Sequence, residues 1–214
     1  MARGKLITLE GGEGAGKTTQ ARLLAAHLGR LGIATVVTRE PGGSPFAEAI
    51  RGLLLSGRLP PHDPLAEALL FSAARADHLA RTIRPALGAG QWVISDRFTD
   101  STRVYQGAAG GLPADTIRRL EELVLGTDQP DLTIVIDLPV EIGLSRATAR
   151  GGGSANDPYE GRERAFHERL RAGFLDLARS EPGRVVAVDG TEAPDVIGAR
   201  IAEIVALRLG TART

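Results

Sequence analysis

The chain has 214 residues, 43% of them hydrophobic and 24% charged, enough for one well-buried domain. Twenty-six acidic side chains balance twenty-six basic ones, so bulk charge points to no nucleic-acid or membrane surface. Cysteine is absent, which excludes disulfides and thiolate metal sites.

No apolar run approaches a membrane span, and the N-terminus carries no signal-peptide core. The expectation is a soluble, cytoplasmic protein with neither nucleic acid nor membrane as partner.

The first predicted element is a strand over Lys5–Glu10. It stops at Gly11-Gly12-Glu13-Gly14-Ala15-Gly16-Lys17-Thr18, which fits the phosphate-cradle pattern G-x-x-x-x-G-K-[ST] at each specified position. A helix is predicted from Lys17, because Leu23, Leu24, His27, Leu28 and Leu31 recur at helical spacing. Strand, glycine turn and helix aim backbone N–H groups and the positive helix end at one point, which binds a polyphosphate. Lys17 is expected to reach the β- and γ-phosphates of a nucleoside triphosphate, and the Thr18 hydroxyl to ligate Mg²⁺. Lysine occurs only at Lys5 and Lys17. The second stands where a compact ammonium serves best between phosphate oxygens.

A strand over Ala34–Arg39 follows, then helices from Ser44 and from Pro64. On the second of these, Phe71 and Arg75 are four apart and point the same way. The next strand, Trp92–Asp96, ends on the charged pair Asp96-Arg97, which is costly to desolvate unless partnered. Asp96 is the expected acidic partner of Mg²⁺ with Thr18, through water. Arg39 stands at the end of another strand. Ser101 and Tyr105 share a helical face, with Thr102 and Gln106 beside them.

Beyond a helix from Pro113 come a strand over Leu132–Asp137 and a helix from Val140 that Asp137 is expected to cap. The glycine- and proline-rich run 149–158 can hardly be helical. Too little chain follows for a second domain, so a lid over about 146–162 is expected rather than a linker. A helix from Gly161, a strand over Val185–Val188 and a helix from Ala193 complete the chain. Asp189-Gly190-Thr191 forms either a loop near a nucleotide base or a plain strand-to-helix turn. His27, His62, His78 and His167 show no metal spacing, and Trp92 is expected to anchor a strand. Alternating strands and helices imply an α/β fold, a five-stranded parallel sheet with helices on both faces and ligands at the strands' carboxyl ends.

Three segments carry a more specific message: Thr38-Arg39-Glu40-Pro41-Gly42-Gly43, Phe71 to Arg75, and Asp96 through Gly107 with its D-R-[aromatic]-x-x-S-x-x-x-Y-Q-G pattern. With the cradle they resemble the thymidylate kinases, and the bacterial branch in particular, from about Lys5 to the chain's end. The resemblance implies a single P-loop domain of the nucleoside monophosphate kinase kind over residues 1–214. Its implied reaction is Mg²⁺-dependent phosphorylation of dTMP by ATP in dTTP synthesis, by a homodimer. It implies that Arg97 forks onto the acceptor phosphate, and that Arg39 either reaches that phosphate too or buttresses the Glu40–Gly43 turn. It also implies that Phe71 stacks on thymine and Arg75 bonds its O4. Arginine can only donate, so it suits a keto oxygen and opposes the amino group of cytosine. Ser101, Thr102 and Gln106 are implied near the base, Tyr105 against the sugar where its ring crowds a ribose hydroxyl, and Glu13 at the 3′-OH. The family's bacterial lid commonly reads D-R-x-E, but this chain has Asp157-Pro158-Tyr159-Glu160. Arg150 is therefore the expected catalytic lid arginine beside Lys17 and Arg97, with Arg146 and Arg162 behind it.

Overall fold

The computed structural model describes residues 2–149 and 163–211. Five parallel strands, β1 (Leu6–Glu10), β2 (Thr35–Arg39), β3 (Trp92–Asp96), β4 (Leu132–Asp137) and β5 (Val185–Asp189), lie in the order β2-β3-β1-β4-β5. Each predicted strand is present, within one residue at either end. Their apolar runs are nearly continuous because alternate side chains meet different layers. Ile7, Leu9, Ile94, Ile134 and Ile136 pack with one set of helices, while Leu6 and Val93 pack on the other face, as does Val135 in a neighbouring cluster.

The first face is covered by α1 (Lys17–Arg30) and α9 (Pro194–Leu209), through Ala21, Leu24 and Leu28 of the one and Ile197, Ile201 and Val205 of the other. Trp92, partly buried, packs against this cluster. Around the other face run α2 (Pro45–Leu54), α3 (Pro64–His78), α4 (Arg84–Gly88), α5 (Thr99–Thr102), α6 (Ala114–Leu125), α7 (Val140–Ala149) and α8 (Arg164–Ser180). Their apolar contacts with the sheet centre on Leu79, Ile83, Leu87 and Phe98 at one end and on Phe166, Leu170 and Phe174 at the other.

Two stretches depart from the expected periodicity. Leu79–Ile83, joining α3 to α4, and Arg103–Ala108, continuing α5, are π-helical. A π turn admits an extra residue, so the side chains lose the 3.6-residue repeat by which a helix is read from sequence. The helix predicted from Gly161 is described from Arg164, and the 150–162 part of the expected lid lies outside the described residues.

The strand ends are level: Leu9 and Arg39 both pair with Asp96, and Leu9 also pairs with Ile134. The chain leaves β1 for β2 on one side and returns to β4 on the other, so the crevice opens beside β1, above the cradle. The cradle also packs against α7 at a place only glycine fits. Gly14 has φ 69°, and a Cβ there would stand 2.0 Å from the Gly143 carbonyl oxygen; a Cβ at Gly143 would stand 2.5 Å from that of Glu13.

Candidate active site

The site is a cavity of about 340 Å³ at the carboxyl ends of β1, β2 and β3. Its floor is the cradle from Glu13 to Thr18, and its walls come from the other three sequence segments: Arg39, Phe71, Arg75, Asp96, Arg97, Ser101, Thr102, Tyr105 and Gln106. Gly11 and Gly12 instead line a smaller cavity of about 30 Å³ behind the cradle, with His167 and Arg171 of α8. Arg150 and Arg162 lie outside the described residues.

At the start of α1 the Lys17 ammonium is buried and donates to the carbonyls of Gly11 (3.1 Å) and Gly12 (2.8 Å). Burial, and then the nearby Arg97, bring its pKa down to about 8. The Thr18 hydroxyl donates to Asp96 Oδ2, so the start of α1 and the end of β3 place a hydroxyl and a carboxylate side by side. Mg²⁺ takes few protein oxygens and keeps several waters, and this pair fits that requirement.

Arg97 has the left-handed backbone of φ 68°, rare for a residue with a side chain. Its N–H donates to Leu9 O at 2.9 Å, and its carbonyl accepts from the Ser95 hydroxyl at 2.7 Å. These bonds hold a conformation that costs on the order of 1–3 kcal/mol, of the kind that gathers at functional sites. The turn swings the guanidinium back over the cradle. One Nη donates to Gly11 O (3.1 Å) and Ser101 Oγ (3.3 Å), the other to Glu13 Oε1 (2.7 Å). Tyr105 donates its hydroxyl to that same Glu13 oxygen at 2.7 Å. Burial would raise the Glu13 pKa, but Arg97 and Lys17 overrule it and bring it to about 2.

Arg75 is buried at 4% exposure and held from three sides. It donates Nε to Glu40 Oε2 (2.7 Å) and Nη2 to Phe98 O and Thr102 Oγ1 (both 3.1 Å). Nη1 takes no bond among the described residues. Glu40 also meets His78 Nδ1 at 2.9 Å, and His78 Nε2 meets Thr38 Oγ1 at 2.7 Å. Arg39 buttresses the turn: its Nη2 donates to both Glu48 oxygens (3.2 and 3.1 Å), while Glu48 Oε1 accepts from Gly43 N at 2.9 Å. Its side chain also lines the cavity.

Beneath this surface, Glu10 at the end of β1 accepts from the N–H groups of Phe98 (2.8 Å) and Ser101 (3.3 Å) and from the Ser101 hydroxyl (2.6 Å). It ties the strand before the cradle to the start of α5. Burial, then Asp100, push its pKa up to about 7.

Asp137 does not cap α7 as expected. Its carboxylate takes both prongs of Arg171 from α8, at 2.7 and 2.9 Å, because a forked, charge-assisted pair outcompetes a single N–H bond. Asp189 holds its own turn, accepting from Thr191 N (2.9 Å) and Thr191 Oγ1 (2.7 Å), while Arg146 reaches the carbonyls of Gly190 (3.0 Å) and Thr191 (3.4 Å). Arg164 is paired with Glu141 and Glu168.

Sequence reasoning leaves out several residues that line or shape the site. Pro41, Arg51, Leu55 and Phe98 line the cavity, and Glu40 lines it while bracing Arg75. The one signal for Glu40 and Glu10 is an acidic residue at or just past the end of a strand, where desolvation demands a partner. Arg51, donating to Pro41 O at 2.8 Å, carries no such mark. In all, Lys17, Arg39, Arg51, Arg75 and Arg97 face the cavity against the three carboxylates of Glu13, Glu40 and Asp96. That cationic surplus suits a ligand bearing phosphates.

The thymidylate kinase family profile matches residues 9–201. A thymidylate kinase of Caulobacter vibrioides is 53% identical over 210 residues, 98% of this chain and 100% of the relative. One from Rhodopseudomonas palustris is 50% identical, covering 97% of this chain and 90% of the relative. Among solved structures, the thymidylate kinase from Ehrlichia chaffeensis superposes with a TM-score of 0.77 at 32% identity, over 95% of this chain and 99% of that one.

Proposed function

The chain belongs to the thymidylate kinase family, and from that premise we propose how its residues carry out the family's reaction, phosphoryl transfer from ATP to dTMP. One observation carries the assignment. The cradle (13–18), the β2 end (39–41), the Phe71–Arg75 pair and the β3-to-π-helix segment (96–106) line a single cavity.

Lys17 binds the β- and γ-phosphates of ATP, leaving the Gly11 and Gly12 carbonyls that now hold it. A phosphate beside it favours the charged ammonium and restores the pKa that burial has lowered. Thr18 and Asp96 are the groups that would hold Mg²⁺, which when bound neutralises phosphate charge. On the acceptor side, Phe71 lies against thymine and Arg75 donates its remaining Nη1 to O4. Ser101, Thr102 and Gln106 border the base, Tyr105 the deoxyribose, and Glu13 accepts from the 3′-OH. Arg97 binds the acceptor phosphate, with Arg39 within the same cavity.

The acceptor phosphate is already ionised near neutral pH, so no side chain needs to remove a proton. The barrier lies in bringing two anions into line. A preorganised surplus of cations lowers it by charge and position alone. Arg97 serves this role well because its strained backbone and its bonds to Gly11 and Glu13 fix the guanidinium before substrate arrives.

The working form in this reading is a homodimer. Supporting it, Phe46 and Leu53 on α2 and Leu65 and Leu69 on α3 leave large apolar surface exposed, at 54%, 45%, 38% and 49%. We take the compartment to be the cytoplasm; no described helix is long and apolar enough to cross a membrane.

The test is a coupled assay of ADP formation with Mg²⁺·ATP across dTMP, dUMP, dCMP, dGMP and ribo-TMP. The expected result is fastest turnover of dTMP. Faster turnover of dCMP or dGMP rejects the assignment.

A further inference from the structure

The Gln106 amide is buried and held at one end: Nε2 donates to Glu67 Oε2 at 2.8 Å. The partners belong to different elements, Glu67 to the first turn of α3 and Gln106 to the π-helical segment 103–108. The Glu67 side chain is only 13% exposed, and its other oxygen lies 3.4 Å from His62 Nε2. Gln106 Oε1 takes no bond among the described residues. It is not a sealed orphan either, since among the described residues the buried side-chain polar atoms without a partner are Gln20 Oε1 and His167 Nε2. The carbonyl end therefore opens on the cavity that Gln106 lines with Arg75.

A half-turn about the last torsion of glutamine exchanges a donor for an acceptor with little change of shape. An ionised carboxylate removes that freedom because it only accepts. With Glu67 at one end, the NH₂ group must face it and the carbonyl must face the nucleotide.

We infer that Glu67 is a specificity-determining positioning residue, which fixes the Gln106 amide so that the site accepts a hydrogen bond from the base. The inference rests on the cavity being the dTMP site. Thymine offers a donor at N3–H beside the acceptor O4. Cytosine offers a bare acceptor at N3 beside an amino donor. Arg75 meets the exocyclic group with a donor and Gln106 meets the ring nitrogen with an acceptor. Cytosine fails both, donor against donor and acceptor against acceptor. Uracil has the thymine edge and passes both, so Glu67 does not bear on the 5-methyl group.

The test compares kcat/KM of the full chain for dTMP, dUMP and 5-methyl-dCMP, which keeps the methyl constant while reversing the base edge. Wild type is set beside Glu67→Gln, Gln106→Ala and the double variant. An amide at position 67 both donates and accepts, which frees Gln106 to turn. Glu67→Gln is expected to shrink the preference for dTMP over 5-methyl-dCMP by about tenfold and to leave dTMP against dUMP unchanged. Glu67→Lys, a donor only, is expected to shrink it at least as far. In the Gln106→Ala background, Glu67→Gln is expected to leave the ratio where it was. An unchanged ratio in both position-67 variants, an equal loss on all three nucleotides, or an effect that survives without Gln106 overturns the inference. A wild-type chain that prefers 5-methyl-dCMP overturns the function itself and the inference with it; the variants bear on Glu67 alone.

Discussion

Arg97 holds its guanidinium carbon 4.8 Å above the centre of the Tyr105 ring, and both side chains donate to one oxygen of Glu13. The Tyr105 ring is thereby packed between a fixed cation and the aromatic edges of Phe166 and Phe174, each 6.3 Å away between centroids. A ring so constrained can act as a steric wall against a substrate sugar.

If the ring excludes a ribose hydroxyl, its own hydroxyl is dispensable for that purpose. Tyr105→Phe is expected to keep the preference for dTMP over ribo-TMP, although Glu13 loses a bond. Tyr105→Ala is expected to narrow that preference by about 10–200-fold, the range for filling or emptying a small volume in a pocket. Steady-state kcat/KM for the two nucleotides checks this. Equal loss of preference in both variants would assign the discrimination to the hydroxyl.

Among the described residues Lys17 donates hydrogen bonds only to carbonyls of its own loop, so its removal is expected to spare the fold. Lys17→Ala is expected to lower kcat by at least about 10²–10³, the loss for one preorganised donor at developing charge, with an unchanged circular dichroism spectrum. A variant that keeps most of the wild-type kcat removes Lys17 from the chemistry.

Arg75 pairs with Glu40 in the fold and, in the proposed reading, also bonds the base. Arg75→Ala leaves Glu40 buried with His78 as its remaining side-chain partner, and breaking a buried pair costs about 3–5 kcal/mol. Adding Glu40→Gln is expected to recover part of that stability, because no uncompensated charge remains. The affinity for dTMP is expected to fall by about 1.5–3 kcal/mol and not to recover, while ATP affinity holds. Thermal melts and titration calorimetry on the single and double variants separate these effects.

The buried Glu10 predicts a pH dependence of stability with a definite sign. Its pKa rises from an ordinary 4.5 to about 7 in the fold. Below pH 4.5 it is protonated both folded and unfolded. Between 4.5 and about 7 the unfolded chain loses the proton while the native state keeps it, so this residue's contribution falls as pH rises. The neutral, nearly isosteric Glu10→Gln avoids that loss. Its stability relative to wild type is expected to climb by roughly 3 kcal/mol across the interval, read by denaturant melts at pH 4.5 and pH 8. Glu13, whose pKa falls to about 2, acts in the opposite sense. Its contribution is present above pH 4.5 and is lost as pH falls through 2, so it does not mask the Glu10 signal. A relative stability that stays flat from pH 4.5 to 8 rules out a raised Glu10 pKa.

Short-range physics made much of this protein legible in its sequence. A buried parallel strand is a run of apolar residues, a phosphate cradle is a fixed spacing of glycines before a helix, and neither needs knowledge of a distant partner. The five strands, the cradle at Gly11–Thr18 and the grouping of candidate residues at strand ends all follow from such rules. Tertiary structure alone decided which groups meet. Asp137 reads locally as a helix cap, yet Arg171, 34 residues away, takes its carboxylate. Glu40 and Arg75 are 35 residues apart, and Glu67 and Gln106 39 apart. The left-handed turn at Arg97 and the π turn beneath Gln106 likewise break the local preferences of their residues. Such choices rest on competition between partners brought together when distant segments pack. A desolvated charge then takes the strongest available partner, whatever its distance along the chain.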